Sequence, residues 1–340
     1  MKSLKDYALN IPEEEYHNYP AWSHSLIAKY ARNGFSAIAT LHDKFEPSDA
    51  MKFGSLVDSI ITRGKETLNN YAVIKIDVPD AERKALDYIA TRTSKSLAEL
   101  PEESLMMLCD QCGYQTRWGY NARLSHLSAY NEYYDKLCSG KELVSESDWN
   151  DAVAIANVFH KDSYLKTIFG HGNHSGKEFI YQPQFVVDWT INDKPVKIKI
   201  MLDLIVVDHN NKTIQPVELK TSKNPAYSFA ENFVNMRYDI EAETYTDVLR
   251  KVCDTIATEY SDYIILPYIF TDISRSDMVP VTYVYDPTSG FSYIKGDKVY
   301  SYKGWQELLS EILFYEENDL KVPTYITTTG PNDIIELLSK

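Results

Sequence analysis

Apolar positions recur along this chain in two rhythms. Up to about residue 170 the spacing is helical. Ser23 to Arg32 places Leu26, Ile27 and Tyr30 on one side, which predicts a short helix. Phe53, Leu56, Val57, Ile60 and Ile61 fall at i, i+3, i+4, i+7 and i+8 and predict an amphipathic helix over 51–64. Tyr71 to Val78 reads as a short strand, Pro79 and Asp80 open a polar helix to about Ser96, and a second helix starts near Pro101. The tyrosine-rich segment up to Cys138 is helical in places, and its rings suit either packing or base stacking. Ser145, Glu146 and Ser147 cap a long helix to near Gly170 with a stripe of Trp149, Ala152, Val153, Ala156 and Phe159. The first 20 residues have little apolar period and are expected to be a loose lead-in.

From Glu178 the period becomes two. The run EFIYQPQFVVDWTI predicts a strand with Glu178 at its start, a carboxylate at a sheet edge. Lys197 to Lys220 then reads as two strands joined at Asp208, His209, Asn210 and Asn211. Ile198, Ile200, Leu202, Leu204 and Val206 alternate onto one face of the first, so Asp203 shares the other with Lys199 and Met201. In the second, Glu218 and Lys220 lie opposite Val217 and Leu219. Asn224 and Pro225 suit the start of a short helix. A longer one begins near Tyr238, with Glu241, Tyr245, Val248, Leu249, Val252 and Ile256 inward. Two strands, DYIILPYIFTDI and VPVTYVYD, a polar turn, a helix over Trp305 to Tyr315 and a tail with a short helix from Asn332 complete the chain.

Composition narrows the class. The 340 residues, 44% hydrophobic, suffice for a sizeable core in one large or two modest domains. No run approaches a membrane span and the N-terminus lacks a signal-peptide pattern, so a soluble cytoplasmic protein is expected. Cys109, Cys112, Cys138 and Cys253 are too scattered for a disulfide framework, and the lone CxxC of Cys109 and Cys112 reads as reduced thiols rather than a zinc or iron–sulfur site. His171 and His174 are either a metal-binding pair or part of a polar loop. The net charge of −14 argues against a surface that coats nucleic acid. Between Lys177 and Arg237, however, eight basic residues face seven acidic ones, so this segment is near +1 and the rest near −15. A local DNA groove is compatible with that distribution, as is acidity that serves solubility alone.

The chemistry converges on the strand pair. Asp203, Glu218 and Lys220 form a D-x14-E-x-K pattern on adjacent strands. Two carboxylates, a backbone carbonyl such as that of Leu219 and a phosphate oxygen make a plausible Mg²⁺ donor set. A divalent cation there activates water for attack on phosphorus, and Lys220 is placed to orient that water or to stabilise the transition state. Asp58, at the margin of its helix stripe, can reach into a cleft or out to water. Glu241 lies inward, although the helix dipole alone favours an acid in a first turn.

The runs FGSLVD, MLDLIVV, PVELKTSKNPAYSF and YDIEAETYTDVL together resemble the PD-(D/E)XK nucleases, especially the branch of RecE (exonuclease VIII), lambda-type exonucleases and RecB-like nuclease domains. The likeness is one of motifs over roughly residues 20–315. It implies an α/β fold with a restriction-endonuclease-like core, in which a central mixed sheet is flanked by helices. The expected organisation is a helical N-terminal region over 1–140 closing the cleft, a nuclease core over 141–317 and a tail over 318–340, together forming one compact domain. By resemblance, Asp58, Glu178, Asp203, Glu218 and the Leu219 carbonyl are the metal ligands, and Asp203, Glu218, Lys220, Glu241 and Tyr245 the catalytic set. Asp58 stands where the family has histidine, and Glu241 where it has glutamine. The second change adds charge near a phosphate unless Glu241 is protonated or pairs with Lys220 or Arg237. The implied function is a Mg²⁺-dependent exonuclease, with Mn²⁺ able to substitute, that resects linear duplex DNA for a single-strand annealing partner in a phage or mobile-element recombination module. Such an enzyme would work in the bacterial host cytoplasm. An endonuclease or branched-DNA nuclease and a catalytically inactive DNA-binding or scaffold protein are the alternatives. Ring-forming relatives make a homo-oligomer plausible.

Overall fold

A computed structural model describes residues 2–43, 47–170, 175–287, 291–295 and 297–318. His171, His174, the tail from residue 319 and the helix expected from Asn332 lie outside these residues. The chain is α/β and divides into two compact units, one of residues 1–50 with 158–340 and one of 51–157. The boundary expected at residue 140 is therefore replaced by two, and the first fifty residues belong with the strand-rich half.

That lead-in is ordered by burial. After a 3-10 turn at Leu4–Tyr7, helices α1 (Glu13–Asn18) and α2 (His24–Asn33) follow. Leu4, Tyr16, Ile27 and Tyr30 are buried. Leu9 bridges to Gln184 and Trp22 to Ile198. Lys199, 5% exposed, donates to the carbonyls of Tyr16, His17 and Tyr19 at 2.8, 2.8 and 3.0 Å. A buried ammonium thus satisfies the carbonyls at the C-terminal end of α1, where the helix dipole favours a cation.

The second unit takes up most of α3 (Asp49–Arg63), then β1 (Tyr71–Ile74), α4 (Asp80–Ala90), α5 (Glu102–Gln111), α6 (Tyr120–Ser128), α7 (Asn131–Cys138), β2 (Glu142–Ser145) and most of α8 (Glu146–Lys161). β1 and β2 pair in parallel. Tyr114, Tyr133 and Tyr134 are buried with Leu86, Ile89 and Leu127, so these tyrosines are core residues. All four cysteines are free thiols. The helix expected to run from Ser145 to Gly170 is interrupted at Asp162, whose carboxylate accepts the N–H groups of Tyr164 and Leu165 and starts α9 (Ser163–Ile168).

In the first unit follow β3 (Lys177–Tyr181), β4 (Gln184–Ile191), β5 (Lys194–Met201), β6 (Leu204–Asp208), β7 (Thr213–Ser222), α10 (Phe229–Met236), α11 (Tyr238–Thr255), β8 (Ile264–Ile265), β9 (Tyr268–Ser274), β10 (Pro280–Tyr285), β11 (Phe291–Lys295), β12 (Lys298–Tyr302) and α12 (Trp305–Glu317). A mixed sheet orders β10-β9-β7-β6-β3, with β8 on β7. The β7–β9 pair is parallel, and β9–β10, β6–β7 and β3–β6 are antiparallel. The single strand expected over residues 198–206 is instead two, and so is that expected after Glu178. Tyr181 pairs with Leu204 and Gln184 with Met201. Between them Gln182 N–H donates to Asp203 O and Leu202 N–H to Pro183 O, at 3.0 and 3.3 Å. The register is unbroken, but Gln182 has φ 49°, and Pro183 has no N–H to give. One long antiparallel ribbon therefore bends at Gln182–Pro183 opposite Leu202–Asp203, and its far half, β4 and β5, packs on α11.

α11 is buried around its whole first half, from Asp239 to Tyr245. Its acids are tolerated there because each has a donor. Asp239 takes Arg237 Nε and Nη2 at 2.9 Å each, Glu243 the Trp305 N–H, and Glu241 a lysine described below. Ile256, expected inward, is 43% exposed because the helix ends one residue before it. The polar turn expected before the last helix contains the β11–β12 hairpin, whose base packs through Phe291 against Phe233.

Candidate functional site

The bend determines the site. Leu204 pairs with Val217, which makes Asp203 and Glu218 the next cross-strand neighbours just where β6 turns away. The Leu219 N–H has lost its strand partner there and donates instead to Asp203 Oδ2 at 2.8 Å. In a strand the N–H and C=O of one residue point to the same side, so the Leu219 carbonyl is aimed at the same open edge.

Glu218 and Lys220 project from β7 on the face covered by α11. Lys220 Nζ lies 2.9 Å from Glu218 Oε1, and 2.9 and 3.0 Å from the two oxygens of Glu241. Its three N–H donors are all directed at carboxylates. The ammonium also sits 4.8 Å from the centre of the Tyr238 ring. Tyr268 donates its hydroxyl to Glu218 Oε2 at 3.2 Å. His24, first residue of α2, brings Nε2 to 4.0 Å from Glu241 and packs edge-on against Tyr245 with ring centres 5.0 Å apart.

This is a dense group of charges in a poorly solvated place. Burial pushes the Asp203 carboxyl up to about 8, and the neighbouring Glu218 charge adds to it, while Lys220 and the Leu219 N–H oppose the rise. Glu218 is pushed up to about 8 by burial and then by Glu241, with Lys220 again opposing. The carboxylates in turn hold the Lys220 ammonium well above its ordinary range, overcoming its own burial. Burial, and then Lys220, hold the His24 ring below the ordinary histidine range. Burial followed by the charge of Glu241 keeps the Tyr245 hydroxyl protonated.

Two adjacent carboxylates that repel one another, beside an open carbonyl, match the hard oxygen donors that Mg²⁺ takes from a protein while keeping water and phosphate as its other ligands. Among the described residues no group of three or more His, Cys, Asp or Glu side chains is arranged to hold a metal by itself. The donor set therefore fits a cation that shares its shell with substrate rather than a closed structural cage.

Asp203, Glu218, Leu219, Lys220, Glu241 and Tyr245 are brought together as the motif predicts. Glu178 is not. It pairs with Val207, four residues beyond Asp203 on β6, or about 13 Å away at the rise of a strand. Its carboxylate is used by Ser3 Oγ and by His209 Nε2, the latter at 3.5 Å. Period-two reading located its strand but not the register against β6. Asp58 lies on α3 in the second unit and is 7% exposed. Arg237 is committed to Asp239, so Glu241 takes Lys220.

Four participants were not apparent in the sequence. Tyr16, whose environment includes the Glu218 charge, comes from the N-terminal segment that lacks apolar period, and His24 from the start of the short helix expected after it. Tyr268 and Asp272 come from β9, where Asp272 is in register with Lys220. An acid inside an otherwise apolar strand, YIFTDIS, was the available signal for Asp272. It is 1% exposed, accepts from Ser222 Oγ at 3.1 Å through Oδ2, and has no hydrogen-bond partner at Oδ1 among the described residues.

No protein-family model matches the chain, and no curated protein is significantly similar to it in sequence. A solved structure described as "Crystal structure of SSO0001" is similar over 80% of this chain and 88% of that one, at 11% identity and a TM-score of 0.27, a likeness too slight to bear on fold or function.

Proposed function

We propose that this chain is a Mg²⁺-dependent DNA nuclease of the PD-(D/E)XK type, with a restriction-endonuclease-like core, acting as a RecE-like exonuclease on linear duplex ends in the cytoplasm. The observation that carries this reading is the placement of Asp203, Glu218 and Lys220 on one face at the bend, with Asp203 oriented by the Leu219 N–H at 2.8 Å and Lys220 2.9 Å from Glu218. Asp203, Glu218 and the Leu219 carbonyl would hold the cation. When bound, it supplies a water of lowered pKa and offsets negative charge developing on the phosphate.

The chain's own part is positioning. Asp203 is fixed before substrate arrives because a backbone N–H holds one of its oxygens. Lys220 stays protonated between two carboxylates. Were Glu218 engaged by a cation, the ammonium N–H it now accepts would be free for the phosphate, where it would stabilise transition-state charge. Glu241 retains the rest of the lysine's hydrogen bonds, which accounts for a charged residue in place of the family's neutral amide.

Incubation of linear and covalently closed circular duplex DNA with Mg²⁺ tests the activity. An exonuclease degrades the first and spares the second. Cleavage of the circle assigns an endonuclease, and the integrity of both contradicts a nuclease. The saturation of Lys220 by Glu218 and Glu241 favours a second reading, a catalytically quiet nuclease fold that binds DNA or acts as a scaffold. Absence of Mn²⁺ binding in calorimetry would select it.

A further inference from the structure

The segment that leaves the site is built unlike the rest of the surface. β7 ends at Ser222, two residues past Lys220, and the chain passes through Lys223, Asn224 and Pro225 into a 3-10 turn at Ala226–Ser228. The turn is stiff. Ser222 Oγ lies 3.0 Å from Asn224 O and shares its one proton between that carbonyl and Asp272, while Ser228 donates both its N–H and its hydroxyl to Pro225 O at 2.9 and 2.8 Å. Pro225 has its φ fixed by its ring. At the tip stands Tyr227, 82% exposed, the most exposed large hydrophobic side chain among the described residues. It makes no hydrogen bond or ring contact among them, and Lys223, also exposed, makes no ion pair.

Many tyrosines of this chain follow the opposite pattern, although Tyr164 and Tyr300 are also exposed, at 53% and 39%. Tyr16, Tyr114, Tyr133, Tyr134, Tyr245 and Tyr268 are all buried. An aromatic ring held out in water on a rigid turn keeps its apolar face unsatisfied and loses little entropy when something stacks on it. An unpaired lysine four residues earlier supplies a phosphate contact in a chain whose net charge is −14. Ring and cation together match a nucleotide, which presents a flat base and a phosphate. A strand advancing about 3.3 Å per residue puts Lys223 roughly 10 Å from Lys220. At about 3.4 Å per nucleotide, that span is some three nucleotides.

We infer that Lys223 and Tyr227 form a contact site for an unpaired nucleotide strand leaving the Asp203–Glu218–Lys220 centre, Tyr227 stacking on a base and Lys223 meeting a phosphate. Paired bases in a duplex have their faces covered by neighbours, so the ring selects single-stranded flanks or frayed ends. The inference rests on the nuclease reading above and specifies which part of the DNA this edge of the site recognises.

Binding of a fluorescent single-stranded oligonucleotide and of the same sequence as blunt duplex, with Ca²⁺ in place of Mg²⁺, tests it in the full chain. Tyr227→Ala should weaken single-strand binding roughly 5- to 150-fold, corresponding to about 1–3 kcal/mol for one stacked base. Duplex affinity should change far less. Tyr227→Phe, which keeps the ring, should bind as wild type. Lys223→Ala should lower the slope of log affinity against log salt by about 0.7 for single strands. Wild-type binding by Tyr227→Ala overturns the contact site while leaving the nuclease reading intact. Failure of the wild-type chain to bind either DNA overturns both.

Discussion

Lys220 is shared between Glu218 and Glu241, its Nζ 2.9 Å from a carboxylate oxygen of each. A lysine so held is protonated and immobile, and the helix residue that holds it carries a charge the chemistry does not require. Glu241→Gln keeps an oxygen acceptor for Lys220 and removes one negative charge from the site. DNA affinity of this variant, measured in Ca²⁺, should rise several-fold at low salt, and the gain should shrink as added salt screens the repulsion that the substitution removes. Weaker binding would show that the charge of Glu241 is needed where it stands. Glu241→Ala removes the acceptor as well and should lower stability by about 1–3 kcal/mol in urea denaturation.

The two raised carboxyls give the metal-free protein a pH signature. Asp203 and Glu218 are pushed up to about 8, above their unfolded values near 4. The folded state then binds more protons than the unfolded state between these limits, and stability falls as pH rises from about 4 to 8. A cation between the carboxylates offsets the repulsion, so the rise in Tm on adding Mg²⁺ should be small at pH 5 and large at pH 8. Thermal melts with and without Mg²⁺ at the two pH values measure it, and equal shifts would count against metal binding here.

Asp272 is a separate case on the neighbouring strand. Burial pushes it up to about 6, above its unfolded value near 4, with Ser222 and Lys220 opposing, so stability is lost as pH rises from about 4 to 6 and stays lost above that. Asp272→Asn removes the ionisation while keeping the shape. The variant should gain about 1–2 kcal/mol at pH 8 and little at about pH 3.5, as read from denaturation midpoints. A loss at pH 8 would mean that the carboxylate is needed in its charged form.

Lys199 supports the site from outside it. Lys199→Met keeps the stem but withdraws three donors from Tyr16, His17 and Tyr19. The cost should be about 2–3 kcal/mol, and amide exchange should accelerate over residues 13–19 ahead of the sheet. Unchanged exchange in α1 would show that Lys199 is not what holds it.

How far the chain could be read in advance depended on whether an element's information was local. The helix stripes of α3 and α11, the Asx turn in which Asp208 Oδ1 accepts the N–H groups of Asn210 and Asn211, and the common face of Glu218 and Lys220 follow from spacing alone. The bend at Asp203 does not, because it depends on Gln182 and Pro183 some twenty residues away in an antiparallel partner. Glu178 was misplaced for the same reason, since alternation gives a face and not a register. The N-terminal segment has no period because single residues, Leu4 and Tyr16, do the burying and a lysine on β5 completes the helix end. Tyr268, His24 and Asp272 join the site only once β9 and α2 are packed beside β7 and α11.

Release of acid-soluble nucleotides from linear duplex DNA in Mg²⁺, by the wild-type chain and by Asp203→Asn and Lys220→Ala proteins checked for native melting, tests the central claim most directly. The amide oxygen that Asp203→Asn introduces can still accept the Leu219 N–H, and the bend itself is set by Gln182 and Pro183, so that variant should keep its fold. The wild type should hydrolyse the DNA, and each variant should be slower by about 10² to 10³ or more. Hydrolysis at the wild-type rate by a folded Lys220→Ala protein would contradict the account.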